Sequence, residues 1–177
     1  MNMQVHETAA GPGRFRSILI VAACLMSGAV WAHDTNPPLE MSVVIDQASF
    51  GRTIKNGAYD AAIEKLTSPN RPVRYRIFDE INLCVAYTKT KRLEQARLTC
   101  DSALELVRAK LAKAVDSVDQ AKLARFEALA LSNRGVLRIA TGEYDAAQRD
   151  FQSALAASKS ISAPRNNLAY LSARNVN

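Results

Sequence analysis

Few side chains in this 177-residue sequence can carry chemistry, and their spacing limits what that chemistry is. The histidines are His6 and His33, neither set among cysteines or carboxylates at metal-ligand spacing, and there is no glycine-rich phosphate loop. Asp79 and Glu80 are paired in sequence, but adjacent residues of a helix diverge, so they read as a solvated face and not as an acid–base pair. The expectation is therefore a non-enzyme, with no catalytic residues, no metal and no cofactor. Cys84 and Cys100 lie eight residues before and eight after Arg92. In an antiparallel helix hairpin turning at Lys91-Arg92 they reach the same height. A disulfide is then allowed if the Cα atoms lie within about 7 Å, and would stabilise by about 3 kcal/mol in the chain-entropy model. Two buried thiols acting as small apolar groups are the other outcome. Arg134 and Asp150 flank Gly142 at equal distance, which predicts a structural salt bridge across a second hairpin.

The elements that position these residues begin after an export signal. Arg14 and Arg16 precede an apolar run from Ile18 to Ala32 ending in Ala-Val-Trp-Ala, the pattern of a signal peptide over 1–32 cut after Ala32. The run falls short of the roughly 20 residues that span a bilayer. A lipoprotein carrying its lipid on Cys24 is the lesser alternative. The expected location is periplasmic or secreted, an oxidising setting for the two remaining cysteines. Cleavage leaves 21 basic and 16 acidic side chains, a net charge of +5. Arg71, Arg74, Arg76, Lys89, Lys91 and Arg92 form a basic surface without interleaved aromatics, which disfavours nucleic acid and reads as a solvated face ahead of a site for an acidic partner or the envelope surface.

Residues 33–42, with Pro37 and Pro38, read as a mobile leader, and 43–177 as one helical domain. The conformation of 43–56 stays open, because Gly51 interrupts a helical pattern and a short strand from Met41 to Ile45 fits as well. From Tyr75 onward apolar residues recur at helical spacing. Beyond Arg76 only Gly135, Gly142 and Pro164 can break a helix. Polar turns at Lys89-Thr90-Lys91-Arg92 and Thr141-Gly142 divide this stretch into hairpins.

Gly-x-Tyr-Asp-Ala-Ala occurs twice, at Gly57 and at Gly142, with Lys91 as an eroded counterpart 34 residues after Gly57. In the same frame Asn82, Asn133 and Asn167 align, the last two again 34 apart. Asn133-Arg134-Gly135, Gly142, Tyr144, Ala147, Phe151, Ala154 and Leu155 resemble one tetratricopeptide repeat almost in full. The segment from Asn82 to Tyr87, with Leu93, Ala96, Ala103 and Leu104, resembles a degenerate copy in which Cys84 and Lys91 replace glycines. Residues 50–66 resemble the back half of a third, and Pro164 to Arg174 a closing helix. Alanines at the crossings let helices approach closely, while Leu83, Leu93, Tyr144 and Phe151 are expected to fill the space beside them.

The resemblance implies an all-α, short solenoid of about three helical hairpins plus a closing helix. Its concave groove would display Phe78, Ile81, Asn82, Val85, Lys89, Ser132, Asn133, Val136 and Asn167, along with Leu129 and Ala140. In the family the repeated asparagine commonly hydrogen-bonds the backbone of a bound extended peptide, although packing between repeats is an equal role for it. Only Lys89 fits the family's carboxylate-binding set, so an acidic C-terminus is not the implied ligand. The expected function is an exported adaptor for a partner protein or extended peptide. The alternative is a small-molecule binder or accessory subunit. It would use a pocket beside one long hairpin, for which the 17 extra residues between the second and third copies account, with a helix cap near Asp116-Ser117. Oligomeric state is not legible.

Overall fold

The computed structural model describes residues 39–46 and 48–174. The expected signal peptide and its cut, Cys24, His33 and the expected leader up to residue 38 lie outside the described residues.

The described residues form α-helices and turns with no strand among them. The helices are α1 Gly51–Lys55, α2 Tyr59–Leu66, α3 Arg76–Lys89, α4 Leu93–Leu111, α5 Ser117–Ala140, α6 Tyr144–Ala157 and α7 Ala163–Arg174, with one 3-10 turn at Val73–Tyr75 before α3. None of them is long and apolar enough to cross a membrane. Each helix packs chiefly on its neighbours in sequence, while α3, α5 and α7 also touch in a row. This arrangement is compatible with stacked hairpins.

Three elbows join helices in the same way. At Gly57, Lys91 and Gly142 the backbone is left-handed, with φ of 82°, 59° and 83°. In each, the elbow N–H donates to the carbonyl three residues back (Ile54, Thr88, Ile139), and the next N–H to the carbonyl five back (Thr53, Tyr87, Arg138). This is the Schellman closure of a helix C-terminus, where glycine avoids the Cβ clash. Lys91 adopts it without being glycine.

Small residues set the crossings. Ala96, Ala103, Ala147 and Ala154 are fully buried. A Cβ at Gly135 would sit 2.4 Å from Cε1 of Phe151, so α5 and α6 approach as closely as they do only because Gly135 has none. Leu83 and Phe151 fill the core beside these contacts, but Leu93 and Tyr144 do not. Both open the second helix of a hairpin, where the first turn faces solvent, and Tyr144 instead receives the Arg174 guanidinium over its ring.

The extra residues lengthen α4 and α5 to 19 and 24 residues against 14 each for α3 and α6. Asp116 caps α5, its carboxylate accepting from the Val118 N–H at 2.6 Å. The tip exposes Val115 and Val118. Lower down, Phe78 of α3 meets Phe126 of α5 with ring centroids 5.1 Å apart.

Candidate functional site: an asparagine-lined groove holding an extended chain

Residues 39–46 form neither helix nor turn nor strand. Their backbone is bound by side-chain amides instead. Asn167 of α7 accepts from the Glu40 N–H at 2.8 Å and donates to the Glu40 carbonyl at 2.8 Å. Asn133 of α5 does the same for Ser42, at 2.8 and 2.7 Å. Asn82 of α3 does the same for Val44, at 2.8 and 3.0 Å. In an extended chain the N–H and C=O of one residue point the same way and those of the next residue the opposite way. A carboxamide offers one acceptor and one donor side by side, so a row of asparagines reads every second residue of such a chain. We call this segment the strap; it runs from α7 over α5 to α3.

Residues 39–42, expected in a mobile leader, are thus tied down, because the Asn133 and Asn167 amides are buried and would otherwise be left unpaired. The side chains of the strap alternate. Leu39 and Met41 pack on Val136, Ile139, Phe151 and Leu171, and Met41 and Val43 on Ile54, Leu83 and Val85. Val44 points to the other side, into the core with Ile77, Ile81 and Leu129.

Beyond Val44 the chain is locked. Asn82 Nδ2 also donates to the Ser49 carbonyl at 2.7 Å, and Ser49 Oγ donates to the Val44 carbonyl at 2.7 Å. A Cβ on Gly51 would meet the Val44 carbonyl oxygen at 2.0 Å, so glycine is required where α1 begins under the strap. Gly51 therefore opens a helix instead of interrupting one. The Arg71 guanidinium grips the Asp79 carboxylate with two N–H groups, donates to the Ala48 carbonyl, and lies over the rings of Phe50 and Tyr75.

This overturns two expectations about charge. Asp79 is buried and paired, not on a solvated face, and Arg71 is largely withdrawn from the basic surface by the same pair. Arg92 also has a partner, Asp60, in an exposed bridge. Glu80 is half-buried, and loss of water pushes its carboxyl above the usual carboxylate range against the opposing pull of Ser102 and Arg76.

Across the hairpins the Cys84–Cys100 pair, left open between a disulfide and two thiols, is bonded, and the expected Arg134–Asp150 bridge forms. The Cys84 and Cys100 Cα atoms lie 4.8 Å apart. Arg134 makes a two-point contact with Asp150 at 2.9 and 2.8 Å and a third bond to Asp101 at 2.9 Å. Burial opposes the Arg134 charge, but hydrogen bonds to Asp150 and Asp101 outweigh it and hold the guanidinium more firmly protonated. Arg138 joins the same carboxylate at 2.7 Å.

Of the residues expected to line the groove, Ile81, Asn82, Val85, Asn133, Val136 and Asn167 are buried beneath or beside the strap. Phe78 is half-buried, lining a recess with Val43 to Asp46, whereas Lys89 is exposed and borders another with Met41 and Val43. Ala140 is exposed, and Ser132 is buried with an Oγ that has no hydrogen-bond partner among the described residues. The strap itself was missed by sequence reasoning as an occupant. Its signal is the alternation of Leu39, Met41, Val43 and Ile45.

Two recesses flank Phe126 at the root of the long hairpin, of about 270 and 190 Å³. A third recess, about 460 Å³, lies between α4, α5 and the elbow at Gly142 and is walled by Glu94, Arg97, Asp101, Arg134, Arg138 and Glu143. Among the described residues no three histidine, cysteine or carboxylate side chains gather as a metal ion would require. No protein-family model, curated protein or solved structure matches this chain.

Proposed function

We propose that the protein is an exported, tetratricopeptide-like adaptor whose concave groove binds a partner protein through an extended segment of that partner. The observation carrying this reading is the asparagine row. Three amides, one from each helix lining the groove, each form two hydrogen bonds to the backbone of alternate residues in an extended chain. Such contacts recognise conformation with little regard to sequence, while apolar recesses beside them select side chains at alternate positions. The reading assigns no catalytic role, and places the protein in the periplasm or outside the cell after removal of residues 1–32. The small-molecule alternative has less support, since the two recesses at the root of the long hairpin fall below the roughly 300–1,000 Å³ of most ligand sites, and the recess of about 460 Å³ between α4 and α5 is walled mainly by charged side chains where such sites are mostly apolar.

Capture from an envelope fraction tests the reading. A partner retained by the wild type should be lost, by tenfold or more, from an Asn133→Ala/Asn167→Ala variant that still melts cooperatively. Equal retention by both would remove the groove from the function.

A further inference from the structure

The strap is held unevenly along its length. At Val44 the bonds to Asn82 and Ser49 are buried, and the Gly51 backbone presses against the carbonyl. At Ser42 and Glu40 the bonds to Asn133 and Asn167 are only partly buried, and Leu39, Glu40, Met41 and Ser42 are all half-exposed. Glu40 gains one further bond, from the exposed Asn166 amide to its carboxylate.

We propose that residues 39–42 are a tethered, exchangeable occupant of the groove over α5 and α7, and that the site they cover takes an extended peptide with apolar residues two apart. Val44, Ser49 and Gly51 remain in place as the anchor. This rests on the peptide-binding reading of the groove and adds which part of it is open to exchange, and for what sequence. An incoming backbone can replace the four hydrogen bonds at Glu40 and Ser42 one for one, so their exchange is close to neutral. Selection then falls to the two apolar positions that Leu39 and Met41 now fill against Val136, Ile139, Phe151 and Leu171. What holds the strap in place is its tether, which gives it an effective concentration on the order of millimolar. A competing segment prevails by larger apolar side chains at those positions or by its own attachment to a partner held nearby.

The test uses the chain without its signal peptide and a fluorescent peptide of the strap's own sequence, Pro-Pro-Leu-Glu-Met-Ser-Val-Val-Ile-Asp. Proline at 40 and 42 removes the two N–H groups that Asn167 and Asn133 accept, while leaving the groove side chains unchanged and favouring extended backbone. The probe should bind the Glu40→Pro/Ser42→Pro variant at least tenfold more tightly than the wild type, and adding Asn133→Ala should abolish the gain. Equal binding to both proteins would overturn the exchangeable strap while leaving the groove as a peptide site. Binding to neither would overturn both. Should the double variant fail to fold, Leu39→Asp weakens the same end without touching the backbone, and an unchanged probe affinity there would contradict the proposal. Concentration-dependent dimers that exchange straps would also contradict it, by assigning the segment to a second copy.

Discussion

At the scale of single residues, Lys91 takes up the same left-handed elbow as Gly57 and Gly142 without being glycine. Its φ of 59° places a Cβ in the left-handed region where Gly57 and Gly142 have none. That conformation costs a non-glycine residue about 1 kcal/mol or more, partly offset by the smaller entropy that lysine loses on folding. Lys91→Gly should therefore raise the stability of the folded protein by about 0.5–1 kcal/mol in urea unfolding; an unchanged or lower midpoint would show that the elbow is not strained. The elbows at Gly57 and Gly142 were legible because each opens the same Gly-x-Tyr-Asp-Ala-Ala stretch. The burial of Asp79 was not, since its partner Arg71 lies eight residues upstream across a 3-10 turn that no periodicity announces.

At the scale of elements, the α3–α4 hairpin combines the disulfide with the strongest anchor of the strap, because Asn82 and Cys84 lie within one turn of α3. Reduction frees, in the unfolded chain, the loop closed by two cysteines 16 positions apart. It should lower stability by about 3 kcal/mol, seen as a shift in the urea midpoint with reductant present. Identical midpoints with and without reductant would mean that the bond adds nothing to folding. The long hairpin was legible from the count of extra residues and from Asp116, whose carboxylate caps α5. The strap was less so. An alternating apolar pattern suggests a strand, but a strand is recognised by a pairing partner, and here the partners are three side chains 38, 91 and 127 residues away.

At the scale of the whole molecule, the asparagines tie the first described residues to the last helix, so the strap joins every helix along the groove into one unit. The asparagines were legible as a row of equivalent positions, with binding of an extended backbone and packing between repeats as equal roles for them. That the chain fills its own groove was not, because a side-chain amide binds any backbone and so leaves no mark in the sequence it binds. Amide hydrogen exchange read residue by residue on the wild-type protein tests this ladder most directly. Glu40, Ser42 and Val44 should exchange at least tenfold more slowly than Met41 and Val43, with Val44 the slowest. Uniformly fast exchange from 39 to 44, or protection without alternation, would contradict it.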